Sequence, residues 1–160
     1  MSDVVTEDAP GRVVFRHARE DDLPAVLALI AEGDRPGVSG LTLADAADQF
    51  RAMVTAGGSW LYVGEITALV VATYQLALIR GLSGSAPCRA QIEAVRVAAD
   101  FRGQGIGAQL LADAERRAAM AGAQLVQLTS RNTRSDAHRF YAAQGYAASH
   151  TGFKKQLGKP

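Results

Sequence analysis

Phe101-Arg102-Gly103-Gln104-Gly105-Ile106-Gly107 lies between an apolar run and an amphipathic helical pattern. Glycines at alternate positions let the backbone turn tightly without Cβ clashes and point successive N–H groups into one concavity. The helix that follows adds its own unsatisfied N-terminal donors. The backbone of Gly103, Gln104, Gly105, Ile106, Gly107 and Ala108 is therefore a candidate phosphate cradle. Arg102 at its mouth adds a fixed charge and a forked donor suited to a pyrophosphate.

Two other phosphate motifs compete for this segment. A P-loop needs Gly-Lys-Ser/Thr at the helix start, and Gly105 to Ala108 supply neither the lysine nor the hydroxyl. Gly103, Gly105 and Ala108 do fit the G-x-G-x-x-G/A dinucleotide spacing. That fingerprint opens the first βαβ unit of a sheet needing several more crossovers, whereas this turn comes late in the chain. The following apolar segment, Leu125 to Thr129, also lacks the acidic residue expected to hold a ribose.

Composition narrows the function classes. With 160 residues, 48% of them hydrophobic, the chain reads as one domain able to bury a sizeable core. Seventeen Lys and Arg against sixteen Asp and Glu leave a formal net charge of +1, without the basic excess expected of a nucleic-acid binder. Phosphate recognition must then be local. One cysteine, Cys88, excludes an internal disulfide, and three histidines form no cluster at metal-ligand spacing, so no metal is expected. Residues 1–11 read as a loose polar tail without the apolar core of a signal peptide, and no apolar run is long enough to span a membrane. A cytoplasmic protein is the expectation.

Along the chain, a short strand is predicted at Arg12 to His17, followed by a helix with Asp21 or Asp22 as cap, Pro24 in its first turn, and Leu23, Val26, Leu27 and Ile30 on one face. Gly33 to Gly40 reads as a loop, and Thr42 with Asp45 as a capping-box start for a helix carrying Leu43, Ala46, Phe50, Met53 and Val54. Ser59 to Gly64 and Ala68 to Ile79 suggest an antiparallel pair. Arg80 to Arg89 reads as a loop before a strand at Ala90 to Val97. Ile106, Leu110, Leu111, Ala114 and Ala118 repeat at helical spacing until Gly122. A strand at Gln124 to Thr129, a helix around Ser135 to Ala143, and short strands near Tyr146 to Ser149 and Gly152 to Leu157 complete an α/β domain with a mixed sheet.

With its flanks, the glycine turn resembles the acyl-CoA-binding core of the GNAT N-acetyltransferases. The family pattern Q/R-x-x-G-x-G/A falls on Arg102, Gly105 and Gly107, and a second family block is matched by Phe140-Tyr141-Ala142-Ala143-Gln144-Gly145-Tyr146. The resemblance extends from about Val13 to Leu157, and the ending Asp136-Ala137-His138-Arg139-Phe140-Tyr141 with Ser149-His150 resembles bacterial small-molecule members, aminoalkylphosphonate acetyltransferases included. It implies a GNAT fold across residues 12–160, with a mostly antiparallel mixed sheet flanked by helices and splayed at the acetyl-CoA site. Acetyl-CoA is then the co-substrate, a small-molecule amine the acceptor, and a homodimer an arrangement the family allows.

The resemblance also implies roles for single residues. Val95 and Val97 occupy the positions whose backbone pairs with the pantetheine arm, and the Val97 N–H is suited to polarise the thioester carbonyl. Tyr141 matches the tyrosine beside the CoA sulfur, as acid for the leaving thiolate or as a packed aromatic. The family often has Asn three positions before the alanine matching Ala137. Here Arg134 stands there, and Asn132 is the nearby candidate for that contact.

A lysine-like amine with pKa about 10.4 is only roughly 0.04% neutral at pH 7, so transfer calls for a proton acceptor. Glu93 lies two residues before Val95, on the same face by period-2 alternation, and is either a base acting directly or through water, or a partner for Arg96 or Arg89. Gln91 shares that face and can orient an acceptor. His17, His138, His150 and Cys88 read as ordinary surface or packing residues, and Trp60 and Tyr62 as core. The function expected is direct acetyl transfer to a primary amine. The alternatives are a non-catalytic acyl-CoA-binding or regulatory module, and an acetyltransferase acting on protein lysines or N-termini.

Overall fold

The computed structural model describes residues 12–33, 40–82 and 86–158, which form five strands and four α-helices. Residues 1–11 and the centres of the two expected loops, 34–39 and 83–85, lie outside the described residues. The chain divides into two compact units, Met1–Gln127 and Leu128–Pro160.

The first unit is built on β1 (Val14–His17), α1 (Leu23–Gly33), α2 (Leu43–Ala56), β2 (Ser59–Ile66), β3 (Leu69–Arg80), β4 (Cys88–Val97), α3 (Ile106–Met120) and β5 (Leu125–Leu128), whose last residue opens the second unit. The sheet order is β1-β2-β3-β4-β5, and the first three neighbouring pairs are antiparallel. Gln124 N–H donates to Cys88 O at 2.8 Å and Gln127 Nε2 to Gln91 Oε1 at 2.7 Å. Both chains therefore rise together, and β5 runs parallel to β4 as its helical crossover requires. Strand β3 is the centre, with Val71, Ala72, Thr73, Tyr74 and Leu76 buried.

Thr67 and Ala68 join β2 to β3, both with positive φ (47° and 65°), between the paired residues Ile66 and Leu69. This is the primed geometry a right-twisted two-residue hairpin demands, reached without the Asn-Gly that usually advertises it. A second irregularity lies in β4. Glu93 pairs with Gln75 and Arg96 with Thr73, so Ala94 and Val95 together oppose Tyr74, and Ala94 has φ 51°. This is a β-bulge, and it breaks the expected alternation. By register Glu93 shares a face with Arg96, whereas Val97, opposite Ala72, falls on the other.

Helices cover both faces. Gly33, the last residue of α1, is pressed against Arg96, where a Cβ would come within 2.6 Å of Nε. Tyr74, on the opposite face, donates from its hydroxyl to Asp113 of α3 at 2.5 Å. The α1 stripe centres on buried Leu23, Val26 and Leu29, with Leu27 and Ile30 half-buried at its margin. Thr42 caps α2 as expected by accepting from Asp45 N–H at 3.1 Å. That helix buries only Ala46 fully, and Leu43 and Val54 are exposed. The α3 stripe is buried as its spacing predicts, and Leu110 and Leu111 contribute about 1.5–3 kcal/mol each by leaving water.

Asp113 does more than the predicted support of Arg117. It accepts from Tyr74 and Arg116, and pairs with Arg117 Nε at 2.7 Å. Arg117 in turn donates to Phe15 O at 3.0 Å and lies 4.3 Å from the centroid of the Tyr62 ring, fastening α3 to β1 and β2. Burial and the Asp113 hydrogen bond push the Tyr74 hydroxyl far above the usual tyrosine range, so it stays a neutral donor.

The second unit holds α4 (Ser135–Ala143), which forms over its predicted range. The strands expected at Tyr146 to Ser149 and Gly152 to Leu157 are absent among the described residues. From Tyr146 to Leu157 only Tyr146, Thr151 and Phe153 are strong strand formers, so little there favours extended pairing. No described helix is long and apolar enough to cross a membrane.

Candidate functional site

Strand β4, the glycine turn and the start of α3 form one continuous backbone path. Residues Ala99–Phe101 make a single 3-10 turn, Gly103 and Gly105 follow with φ of 74° and 78°, and α3 begins at Ile106. Open space surrounds both glycines on the side where a Cβ would project. It is their left-handed conformation, not crowding, that demands glycine, and their missing side chains leave the turn concave. Gly105 is the N-cap and supplies no side-chain cap, no acidic residue occupies the first turn of α3, and the first helical bond runs from Gln109 N–H to Gly105 O at 3.1 Å. The N–H groups of Ile106, Gly107 and Ala108 thus head the helix as donors without helical acceptors, beside the positive end of its dipole. The arrangement suits an anion.

The end of β4 is equally specific. Ala98 N–H donates to Val71 O at 2.8 Å, which makes Ala72 and Val97 the pair that exchanges no backbone hydrogen bonds. The N–H and C=O of Val97 therefore turn away from β3. The carbonyl accepts from Arg102 Nε at 3.0 Å. Arg102 Nη2 also lies 3.6 Å from Glu32 Oε2, so its guanidinium is directed to the strand end as well as standing beside the turn. Glu32 accepts from Ala99 N–H at 2.9 Å with the same oxygen. Neither Glu32 nor the Ala94 bulge carries a signal in the sequence.

Glu93 is exposed on the face bearing Gln75, Gln91 and Arg96, and makes no ion pair with Arg89 or Arg96 among the described residues. Around it the sheet presents neutral hydrogen-bonding groups: Gln75 Nε2 donates to Ser59 Oγ at 2.9 Å, and Gln91 accepts from Gln127. Val95, expected on the face of Glu93 by simple alternation, instead forms the second residue of the bulge. Cys88 is buried, as is Tyr62, which stacks on Tyr74 with ring centroids 5.0 Å apart.

The remaining candidates belong to the second unit. Asn132 is in the turn closed by Arg134 N–H donating to Arg131 O at 2.9 Å, just before α4. Tyr141 lies on α4, its ring 5.3 Å from Phe140 and 6.0 Å from Tyr146. Tyr146 N–H donates to Tyr141 O at 3.0 Å, and Gly145, with φ 89°, makes that return possible.

The acetyltransferase (GNAT) family model matches residues 16–146. The chain belongs to the GNAT family. Its match runs through the boundary between the two units and includes both motif blocks. An aminoalkylphosphonate N-acetyltransferase of Salmonella typhimurium is 49% identical over 67 residues, a match spanning 42% of this chain and 44% of that protein. A solved structure of a transcriptional regulator from Bacillus halodurans C-125 is 32% identical, with TM-score 0.80, covering 91% of this chain and all of that one (100%). A solved Trypanosoma brucei acetyltransferase is 26% identical, with TM-score 0.71, covering 91% of this chain and 100% of its own. Family membership accounts for the α/β architecture with an open five-stranded sheet flanked by helices.

Proposed function

We propose that this chain is a cytoplasmic acetyl-CoA-dependent N-acetyltransferase that acts on the primary amine of a small molecule. The observation that carries the reading is the uncapped α3 N-terminus behind two left-handed glycines, continuous with a strand whose last N–H faces outward. The backbone of Gly103 to Ala108 would hold the pyrophosphate, with Arg102 adding charge. Beyond its four-residue neighbour β5, the C-terminal half of β4 offers the Val95 and Val97 backbone to the pantetheine arm. Asn132 would add a contact to the same co-substrate.

Acetyl-CoA supplies an activated thioester. Glu93, directly or through a water, takes the proton from the acceptor ammonium, and the neutral amine attacks the carbonyl carbon. The Val97 N–H meets the negative charge developing on the carbonyl oxygen. As the tetrahedral species collapses and the C–S bond breaks, Tyr141 gives its proton to the thiolate, and the second proton of the attacking nitrogen passes through solvent to the Tyr141 oxygen, leaving a neutral amide. The identity shared with the Salmonella protein supports an aminoalkylphosphonate-like amine as acceptor.

A second reading is a non-catalytic acyl-CoA-binding regulator, supported by the similarity to the Bacillus transcriptional regulator. CoA release by the purified chain, followed across aminoalkylphosphonates, polyamines, aminoglycosides and lysine peptides, separates the two. Turnover with a small amine supports the enzyme. Saturable acetyl-CoA binding without turnover on any of these favours the regulator, and turnover confined to lysine peptides moves the acceptor to protein.

A further inference from the structure

Three consecutive backbone groups at the end of β4 are held from three directions. Arg102 Nε donates to the Val97 carbonyl at 3.0 Å, Val71 O accepts from Ala98 N–H at 2.8 Å, and Glu32 accepts from Ala99 N–H at 2.9 Å. The Glu32 oxygen that takes the Ala99 bond also faces Arg102, at 3.6 Å. A residue's N–H and C=O point the same way from a strand, so the Arg102 guanidinium lies along the edge to which Val97 turns its N–H. Gly33 completes the approach, since a side chain there would collide with Arg96, whose Nη1 donates to Val95 O at 2.9 Å.

We infer that Glu32 is a positioning residue for acetyl transfer, acting through the Val97 to Ala99 backbone. This role rests on the acetyltransferase reading above. The last turn of α1 clamps the segment between two places a ligand must reach at once, the Val97 N–H and the glycine turn. Their separation is set by residues 98–102, and a fixed separation lets one co-substrate meet both without reordering the backbone. The decisive contact is the hydrogen bond from Ala99 N–H to the Glu32 oxygen, which a glutamine carbonyl can also accept. The ion pair to Arg102 is long and its partners are 54% and 41% exposed, so screening leaves it little weight. Glutamine, which keeps a carbonyl oxygen at that place, should therefore substitute for glutamate and alanine should not.

The experiment compares wild type with Glu32→Ala and Glu32→Gln by amide hydrogen exchange on the unliganded protein, acetyl-CoA titration and steady-state kinetics. Glu32→Ala should speed exchange at Ala99 about tenfold relative to the β3 amides and lower kcat about tenfold, with acetyl-CoA Kd changed less than threefold. Glu32→Gln should restore protection at Ala99 and most of kcat. An Ala99 exchange rate that Glu32→Ala leaves unmoved overturns the clamp, and so does a glutamine variant as slow as the alanine one. Wild-type protein that binds no acetyl-CoA overturns the acetyltransferase reading itself and this role with it. Normal wild-type binding with unaltered kcat in Glu32→Ala removes Glu32 alone.

Discussion

Val97 stands opposite Ala72 in the β3–β4 ladder, in a pair that exchanges no backbone hydrogen bonds, and its N–H is therefore turned away from β3. Removing that N–H costs the sheet no ladder bond, so its chemical role can be separated from its structural one. Replacing Val97 by the corresponding α-hydroxy acid puts an ester oxygen where the N–H was. The expected result is a fall in kcat of about 10²–10³, the range for loss of one oxyanion donor, with thermal stability close to wild type.

The bulge at Ala94 carries a residue with a Cβ at φ 51°, a conformation that costs about 1–2 kcal/mol outside glycine. Ala94→Gly should raise Tm by relieving this strain, and Ala94→Val should lower it and weaken acetyl-CoA binding, because a β-branched residue resists the left-handed region more strongly. Thermal unfolding with parallel acetyl-CoA titration reads both effects.

These two features mark where sequence reading stops. Glycines at 103 and 105 declare a turn because only backbone conformation explains their spacing, and the stripe of Leu110, Leu111, Ala114 and Ala118 declares the buried side of α3. Ala94 declares nothing, since alanine has no special turn chemistry, and so Glu93 and Val95 were expected on one face. Glu32 was equally silent: its contact to Ala99 joins residues 67 apart in sequence, which no local period encodes. The β2–β3 hairpin was legible from the strands on either side, but its turn was expected at Glu65 to Thr67 and lies at Thr67-Ala68, because β2 stays paired to Ile66.

Glu93→Gln keeps size and hydrogen bonding but abolishes proton acceptance. It should lower kcat/KM at least tenfold at neutral pH and recover part of the loss at high pH, where more amine is already neutral. Tyr141→Phe should lower kcat by a similar factor and leave acetyl-CoA Kd nearly unchanged. A pH–rate profile for Glu93→Gln, and a comparison of kcat with Kd for Tyr141→Phe, check the two roles.

Hydrogen bonds from Arg16, at 2.7 and 2.9 Å, together with the Arg19 N–H, hold the Asp22 carboxyl below the usual carboxylate range. A carboxylate whose pKa is lowered on folding stabilises the protein above its unfolded pKa of about 3.9, and the contribution is lost as pH falls through the folded value. Arg16→Met should therefore cost about 1–3 kcal/mol at pH 7, with the gap to wild type closing towards pH 2. Urea unfolding across this range measures it.

An amide-resolved NMR titration with acetyl-CoA shows whether the glycine turn and the Val97 N–H meet one co-substrate. Saturable shifts concentrated at Gly103 to Ala108 and at Val97 are the predicted result. Saturable binding that leaves those amides unmoved, or no binding at millimolar acetyl-CoA, would rule out an acetyl-CoA site at this turn.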